Sequence, residues 1–276
     1  IIAYIGVKSF LAKKFVSKYK KKFIFRPIKL DITNSKNISK WLKANKNINI
    51  LINFAAITSV KKCEKNKKKA INVNCNSVIS LLNLIKKHKL KHFKYFLALS
   101  TSHVFKPSKI LLKENSSKNP KNYYGLTKLK LENYILKNKN RYNFKIGIGR
   151  IFNYYDTEIK KKGFFINDII KKLSNNSKKN FFKNTNTFRD FILLNDINNA
   201  IYKMVILNLE NDFNICSGKK IYLPKIINYI NTKIKNKRLY FDNKNPGDII
   251  GSNKKLLKKG WIFSRKSLLS EIKKSL

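Results

Sequence analysis

The run Ile1-Ile2-Ala3-Tyr4-Ile5-Gly6-Val7-Lys8-Ser9-Phe10-Leu11-Ala12 decides the fold class. Its first five residues form an apolar, β-branched strand, Gly6 permits a tight turn, and Phe10, Leu11 and Ala12 open an amphipathic helix. The alternation continues down the chain. Strand-like runs at Ile48–Phe54, Tyr95–Ser100 and Lys145–Arg150, and a shorter one at Phe23–Arg26, are separated by amphipathic stretches. That order predicts an α/β fold, a parallel sheet covered by helices. The clearest helix runs from about Asn66 to His88, where Ala70, Val73, Ser77, Leu81 and Ile85 recur on one face. A second spans Tyr123 to about Lys137. Beyond Arg150 the alternation breaks down into helices at Ile166–Leu173, Asp196–Leu207 and Pro224–Ile234 among short strands such as Phe213–Cys216. The expected division is therefore residues 1–150 as one α/β domain and residues 151–276 as a smaller, mainly substrate-side part packed against it.

The 276 residues include 43% hydrophobic and 12% aromatic side chains, enough for a full core despite a formal net charge of +48. That charge arises from 62 Lys+Arg against 14 Asp+Glu, and only six of the cations are Arg. The Lys residues are spread through every segment with Asn, Ile and Phe, which is a solvated surface and not a patch built for nucleic acid. Three widely spaced cysteines, Cys63, Cys75 and Cys216, suggest neither a disulfide framework nor a metal site and fit a reducing cytoplasm. No apolar run is long enough for a membrane span. The chain opens without Met, directly in a strand, so at least one residue is expected to precede it.

The first turn has the position of a dinucleotide-binding loop, in which glycines let backbone approach a pyrophosphate resting on a helix N-terminus. Only Gly6 remains of a GxxGxxG pattern; Ser9 places a side chain where the phosphate needs room, and Ala12 is a mild change. Asp31, in Leu30-Asp31-Ile32-Thr33, and Ala55-Ala56, after Asn53-Phe54, also lie at strand ends, where open α/β sheets bind ligands. Asp31 reads equally as an acceptor for an adenine amine or as a cap for a helix starting near Ser35.

Tyr124-Gly125-Leu126-Thr127-Lys128 carries the strongest chemistry. Four-residue spacing puts Tyr124 and Lys128 on one helix face. A phenol of ordinary pKa, about 10, exchanges a proton near neutral pH only where a cation favours its phenolate. Thr101, at the strand end Ser100-Thr101-Ser102, can bond the same substrate oxygen. Asn74 reads either as part of a proton relay or as a water-facing helix amide. Arg150 ends a strand before Phe152-Asn153 and reads equally as a functional arginine, in a chain where Lys is the default cation, or as a structural ion pair with an acid such as Asp190 or Asp196.

With GVKSFLA, LDIT, INFAAITSVKKCE, INVN, STSHVF, NPKNYYGLTKLKLE, RIFN, FRDF and FNICSG in this order, nearly the whole chain resembles the extended short-chain dehydrogenase/reductase family, the NAD-dependent epimerases and dehydratases. The resemblance implies a Rossmann-type doubly wound parallel sheet, NAD or NADP as cofactor, a nucleotide-diphosphate sugar as substrate and a homodimer. Its Ser/Thr-Tyr-Lys triad falls on Thr101, Tyr124 and Lys128. Its cofactor positions fall on Gly6, Ser9, Phe10, Leu11, Ala12, Asp31, Ile32, Ala55, Ala56 and Lys128, and its substrate positions on Asn153, Asn184 and Arg189. No metal is implied. Arg189 suits a diphosphate as a planar bidentate fork, whereas Asn245-Pro246-Gly247-Asp248 lacks an arginine the family often has there. Arg26 is either a partner for a 2′-phosphate or a surface cation. The expected activity is reduction or epimerisation at a sugar ketone. Dehydration is not expected, because the run Ser102-His103-Val104-Phe105 has no carboxylate. The alternatives are a non-catalytic dinucleotide-binding regulator, which the degraded glycine loop favours, and a basic nucleic-acid binder resting on charge alone.

Overall fold

A computed structural model describes residues 1–159, 163–175, 180–264 and 266–276. The chain begins with β1 (Ile2–Ile5), α1 (Phe10–Tyr19), β2 (Phe25–Ile28), α2 (Ser35–Ala44) and β3 (Ile50–Asn53). Next come α3 (Val60–Lys65), α4 (Lys67–Ile71), α5 (Ser77–Lys87), β4 (Tyr95–Thr101), α6 (Tyr123–Asn138) and β5 (Lys145–Ile151). The remainder holds β6 (Asn153–Tyr155), α7 (Phe165–Ser174), β7 (Asn180–Phe182), β8 (Phe188–Arg189), β9 (Phe191–Leu193), α8 (Leu194–Ile206) and β10 (Asn211–Ile215). It ends with β11 (Ile221–Tyr222), α9 (Leu223–Ile234), β12 (Leu239–Phe241), α10 (Lys254–Leu257) and α11 (Leu268–Lys273).

Six strands form the main sheet in the order β10-β5-β4-β3-β1-β2. The pairs β1–β2, β1–β3 and β3–β4 are parallel, in a register that aligns Ile5 with Ile28 and with Asn53, and Asn53 with Ala98. This register brings the strand ends bearing Gly6, Phe54 and Thr101 to one edge. The chain winds in opposite directions from β1 to β2 and from β1 to β3, so the switch in strand order lies between β1 and β3, where open α/β sheets bind ligands.

The chain divides into two compact units. Residues 1–106, 117–150 and 201–213 form the first, and residues 107–116, 151–200 and 214–276 the second. Thus 107–116 joins the later half of the chain and 201–213 the earlier half, both across the expected boundary. The strand read at Phe213–Cys216 is β10, and it lies at the edge of the main sheet beside β5. In the first unit Ala3, Ile5, Leu51, Phe96, Ala98 and Ile148 from the sheet pack on Val78, Leu81, Leu82 and Ile85 of α5 and on Leu131 and Ile135 of α6. Each such aliphatic side chain removed from water contributes about 1.5–3 kcal/mol. The second unit has its own core of Ile166, Ile169, Leu173, Phe191, Ile226, Ile227 and Ile272.

The helix read from about Asn66 to His88 runs through α4 and α5 with one widened turn between them. Asn66 caps α4 by accepting a hydrogen bond from the Lys69 N–H, and residues Asn72–Asn76 form one wide π-helical turn before α5. The turn carries Asn74 inward. Such a turn inserts one residue without ending the helix.

Candidate active site

The site is built where the end of β4 meets the start of α6. Asn122 caps α6: its side-chain oxygen accepts from the Gly125 N–H at 2.9 Å. Its Nδ2 then faces His103 Nδ1 at 2.9 Å. The amide oxygen being committed to the helix, Nδ2 is the group that faces the His103 ring nitrogen. The His103 ring stands edge-on to Tyr124 with centroids 5.6 Å apart. Close approach here depends on Gly125, since a Cβ on it would lie 2.3 Å from the His103 carbonyl oxygen.

Tyr124 is 8% exposed and packs with Cys63 and Ala70, and the Thr101 side chain hydrogen-bonds its phenol. Burial pushes the phenol up to about 12, against the pull of the Thr101 hydrogen bond. Lys128 is 3% exposed and is the only buried lysine among the described residues. Its Nζ donates to the Leu99 carbonyl at 2.8 Å, and burial lowers its pKa to about 8 while the Glu132 charge opposes the fall. The Lys128 charge does not outweigh burial at the Tyr124 phenol. Desolvation wins at both groups, leaving a neutral phenol beside an ammonium at neutral pH. That is the state of a proton donor.

Asn74 does not face water. It is fully buried, with Oδ1 accepting from the Ile57 N–H at 2.8 Å and Nδ2 donating to the Ile57 carbonyl at 3.0 Å and to Thr127 Oγ1 at 3.1 Å. It thus clamps the residue before Lys128 to the loop after β3. Arg150 pairs with neither Asp190 nor Asp196. Its Nη2 lies 2.8 Å from Glu132 Oε2 and 2.5 Å from Asp212 Oδ2. Sequence reasoning passed over Glu132, whose signal was available: an acid four residues after Lys128, in a chain with 14 Asp+Glu, continues the helix face of Tyr124 and Lys128.

The proposed dinucleotide positions lie at the sheet edge. Gly6 has a positive φ of 89°, and a Cβ there would stand 2.5 Å from the Ala55 backbone nitrogen, so this turn admits only glycine. Ser9 caps α1 with extended backbone and no side-chain hydrogen bond, so its hydroxyl is not used by the helix. The first turn of α1, with Phe10 and Leu11, has no acidic residue to repel a phosphate. Asn53 accepts from the Ala55 N–H at 3.0 Å while its buried Nδ2 has no partner. Asp31 is exposed and accepts from the Thr33 N–H and hydroxyl, which hold its carboxyl below the usual range; the cap of α2 is Asn34. Ile32 is buried, and Ala55 and Ala56 are half-buried. A glycine-only turn, a hydroxyl and an amide left to a ligand, and an exposed carboxylate fit a dinucleotide. Arg26 donates to Asn45 Oδ1 at 2.8 Å.

The remaining predicted residues belong to the second unit. Arg189 uses Nη1 alone, donating to Thr187 Oγ1 at 2.6 Å and to the carbonyls of Phe188 and Gly247 at 2.8 and 2.7 Å. Its Nη2 and Nε have no partner among the described residues. Asn153 Nδ2 donates to the Asp190 carbonyl at 3.1 Å. Asn184 is exposed, with a positive φ of 56°, and its N–H donates to Asp242. Asp190 organises this unit. Its carboxylate accepts from the Ser217 N–H and hydroxyl and from the N–H groups of Gly218 and Gly251, and burial raises its pKa to about 6.

The sequence matches the family model of the GDP-mannose 4,6 dehydratases over residues 9–258. It is 28% identical over 193 residues to the "Putative UDP-glucose 4-epimerase" of Methanocaldococcus jannaschii, a match covering 68% of this chain and 62% of that protein's length. The fold matches the structure of RMD from Pseudomonas aeruginosa complexed with NADPH at a TM-score of 0.83 and 17% identity, over 98% of this chain and 96% of the other. It also matches the UDP-glucuronic acid 4-epimerase of Bacillus cereus, in complex with UDP-glucuronic acid and NAD, at 0.83 and 20%, over 99% and 96%. Among the described residues no helix is long and apolar enough to cross a membrane.

Proposed function

The chain belongs to the GDP-mannose 4,6 dehydratase family, among the NAD-dependent epimerases and dehydratases of the extended short-chain dehydrogenase/reductase fold, and on that premise we propose that it is an NAD(P)-dependent reductase or epimerase of a nucleotide-activated sugar. The observation that carries this reading is the convergence of Thr101, Tyr124 and Lys128, the one buried lysine among the described residues, on the end of β4. A binding module has no use for that set.

A bound nicotinamide dinucleotide supplies or accepts the hydride. The chain's own residues handle the proton. Tyr124 Oη gives a proton to the sugar oxygen during reduction and takes it back in the reverse direction. The Thr101 hydroxyl steadies the same oxygen. Lys128, charged at neutral pH, favours the phenolate left behind and would help hold the nicotinamide ribose. Gly6, Ser9, Phe10 and Leu11 receive the pyrophosphate, Asp31 and Ile32 the adenosine end, and Ala55 and Ala56 leave room along the bare backbone. Arg189 offers Nη2 and Nε to the sugar diphosphate, with Asn153 and Asn184 beside the nucleotide sugar.

Removing water from a hexose needs a group that takes a carbon-bound proton and another that protonates the leaving hydroxyl, work suited to a carboxyl of tuned pKa. The turn after Thr101 offers Ser102 and His103, whose Nδ1 is engaged by Asn122. The nearest downstream acid, Glu114, accepts from the Asn214 N–H. The reading therefore favours reduction or epimerisation over dehydration. A homodimer through α5 and α6, expected from the resemblance, belongs to the same reading.

The test is twofold. NADH and NADPH titrated against the protein should quench tryptophan emission through energy transfer to the bound nicotinamide. Incubation of UDP-glucose, GDP-mannose and dTDP-glucose with NAD(P) and enzyme, followed by NMR, should show epimerised sugar or, with 4-keto substrates and NAD(P)H, reduced sugar. Absence of dinucleotide binding, or formation of a 4-keto-6-deoxy sugar, would overturn the reading.

A further inference from the structure

Buried charge is concentrated at one place in the first unit. Among the described residues, the only buried lysine, glutamate and arginine are Lys128, Glu132 and Arg150. In a chain with 62 cations, nearly all solvated, three full charges at the same spot are not a by-product of composition.

Their contacts form a stitch between a helix and a strand. Tyr124, Lys128 and Glu132 follow one another at four-residue intervals along α6 and so share a face. They engage three consecutive residues at the end of β4: Thr101 bonds Tyr124, the Leu99 carbonyl accepts from Lys128 at 2.8 Å, and Ser100 Oγ donates to Glu132 Oε1 at 2.5 Å. The Glu132 carboxylate also accepts from Arg150 Nε at 3.1 Å on each oxygen and from Nη2 at 2.8 Å. Arg150 is held in turn by Asp212 at 2.5 Å and lies over the Phe105 ring, 5.1 Å from its centroid. The carboxylate is thus anchored from behind by a fork it cannot leave.

We infer that Glu132, fixed by Arg150, is a positioning residue for proton transfer: it holds Ser100 and hence the strand end bearing Thr101, and it supplies the anion that keeps Lys128 an ammonium beside Tyr124. The inference rests on the reading of Tyr124 and Lys128 as the proton-transfer pair. The other titratable groups near Lys128 are Tyr124 on its own helix, Cys63 of α3 and Cys75 of the π-helical turn. Of the neighbours of that pair, His103 stands edge-on to Tyr124 with Nδ1 engaged by Asn122, and Glu64 of α3 accepts from the Tyr123 N–H at 2.7 Å at the exposed end of the helix. Burial raises both thiols, so neither is an anion at neutral pH. Glu132 is the anion that remains. An ion pair of this burial gains little stability over apolar side chains of equal volume, so a merely structural role explains it poorly.

The test needs no substrate. In the full chain labelled with 13Cε-lysine, one resonance should titrate near pH 8 and vanish in Lys128→Arg. In Glu132→Gln that titration should move down by about one pH unit or more, the usual effect of losing a close counter-charge. Asp212→Asn, which disturbs the same arginine without removing an anion from beside Lys128, should leave it in place. If Glu132→Gln does not fold, the double variant Glu132→Gln/Arg150→Met, which removes the Arg150 cation together with the Glu132 anion, should still move the titration down, by less than Glu132→Gln alone because the two charge changes partly offset. A Lys128 titration unmoved in whichever variant folds, or moved equally by Asp212→Asn, would overturn the inference. Either result leaves the activity assay of the Tyr124 reading unaffected, so the two can fail separately.

Discussion

Lys128 illustrates how a single residue trades stability for chemistry. Its pKa in the folded protein is about 8, against 10.5 for an ordinary lysine, because burial penalises the ammonium. A folded-state pKa below the unfolded one means that the unfolded chain binds the proton more tightly between those values, so stability rises with pH across that window. Below about pH 8 the penalty is present in full. Replacing Lys128 by Met should therefore stabilise the protein at pH 7 by about 1 to 3 kcal/mol, the charging penalty less the lost hydrogen bond to Leu99. The gain should shrink as the pH rises through that window and disappear above about 10.5, where wild-type Lys128 is neutral in both states. Urea unfolding at pH 7 and pH 10 measures both, and a variant less stable than wild type at pH 7 would contradict this account. The Tyr124 and Lys128 pair was legible in the sequence because four-residue spacing is a local signal. The parts played by Asn74 and Arg150 were not, because their partners lie 53 and 18 residues away and only the fold brings them together.

At the scale of elements, the site depends on how closely the start of α6 approaches the turn after β4. Gly125 sets that distance, since an alanine methyl would lie 2.3 Å from the His103 carbonyl oxygen and 2.9 Å from the Pro120 side chain. Gly125→Ala should push α6 away, lengthen the Thr101 contact to Tyr124 and destabilise the fold by about 1–3 kcal/mol, as overpacking does. Turnover should fall far more than NADH affinity, because Gly6 and Ser9 lie on a different turn. Paired kinetics and calorimetry test this, and equal losses in both would place Gly125 outside the catalytic geometry. Strands and helices of the first half were readable from periodicity, with ends shifted by a residue or two. The π-helical turn at Asn72–Asn76 was not, since the hydrogen bonds that Asn74 makes from it to Ile57 and Thr127 are non-local. Nor could the run Phe213–Cys216 be assigned to the main sheet, because pairing with β5 is non-local and a short apolar strand looks the same at any edge.

For the molecule as a whole, the net charge of +48 and the function are separate matters. The lysines lie on the surface with the exception of Lys128, among the described residues, so the charge acts as a diffuse field. Binding to duplex DNA should be independent of sequence and should weaken by about 1,000-fold or more between about 50 and 200 mM salt. A salt-resistant, sequence-selective complex in a filter-binding series would speak for a dedicated nucleic-acid site. The central claim concerns a different surface, the end of β4 against α6, and one measurement reaches it most directly. Tyr124→Phe removes the phenolic hydroxyl and retains the ring that packs with Cys63 and Ala70. Turnover of the nucleotide sugar that the wild-type enzyme accepts should fall by at least about 100-fold, the lower bound for loss of a general acid–base group, while NADH affinity stays within a small factor of wild type. A Phe variant that keeps most of its activity would contradict the account.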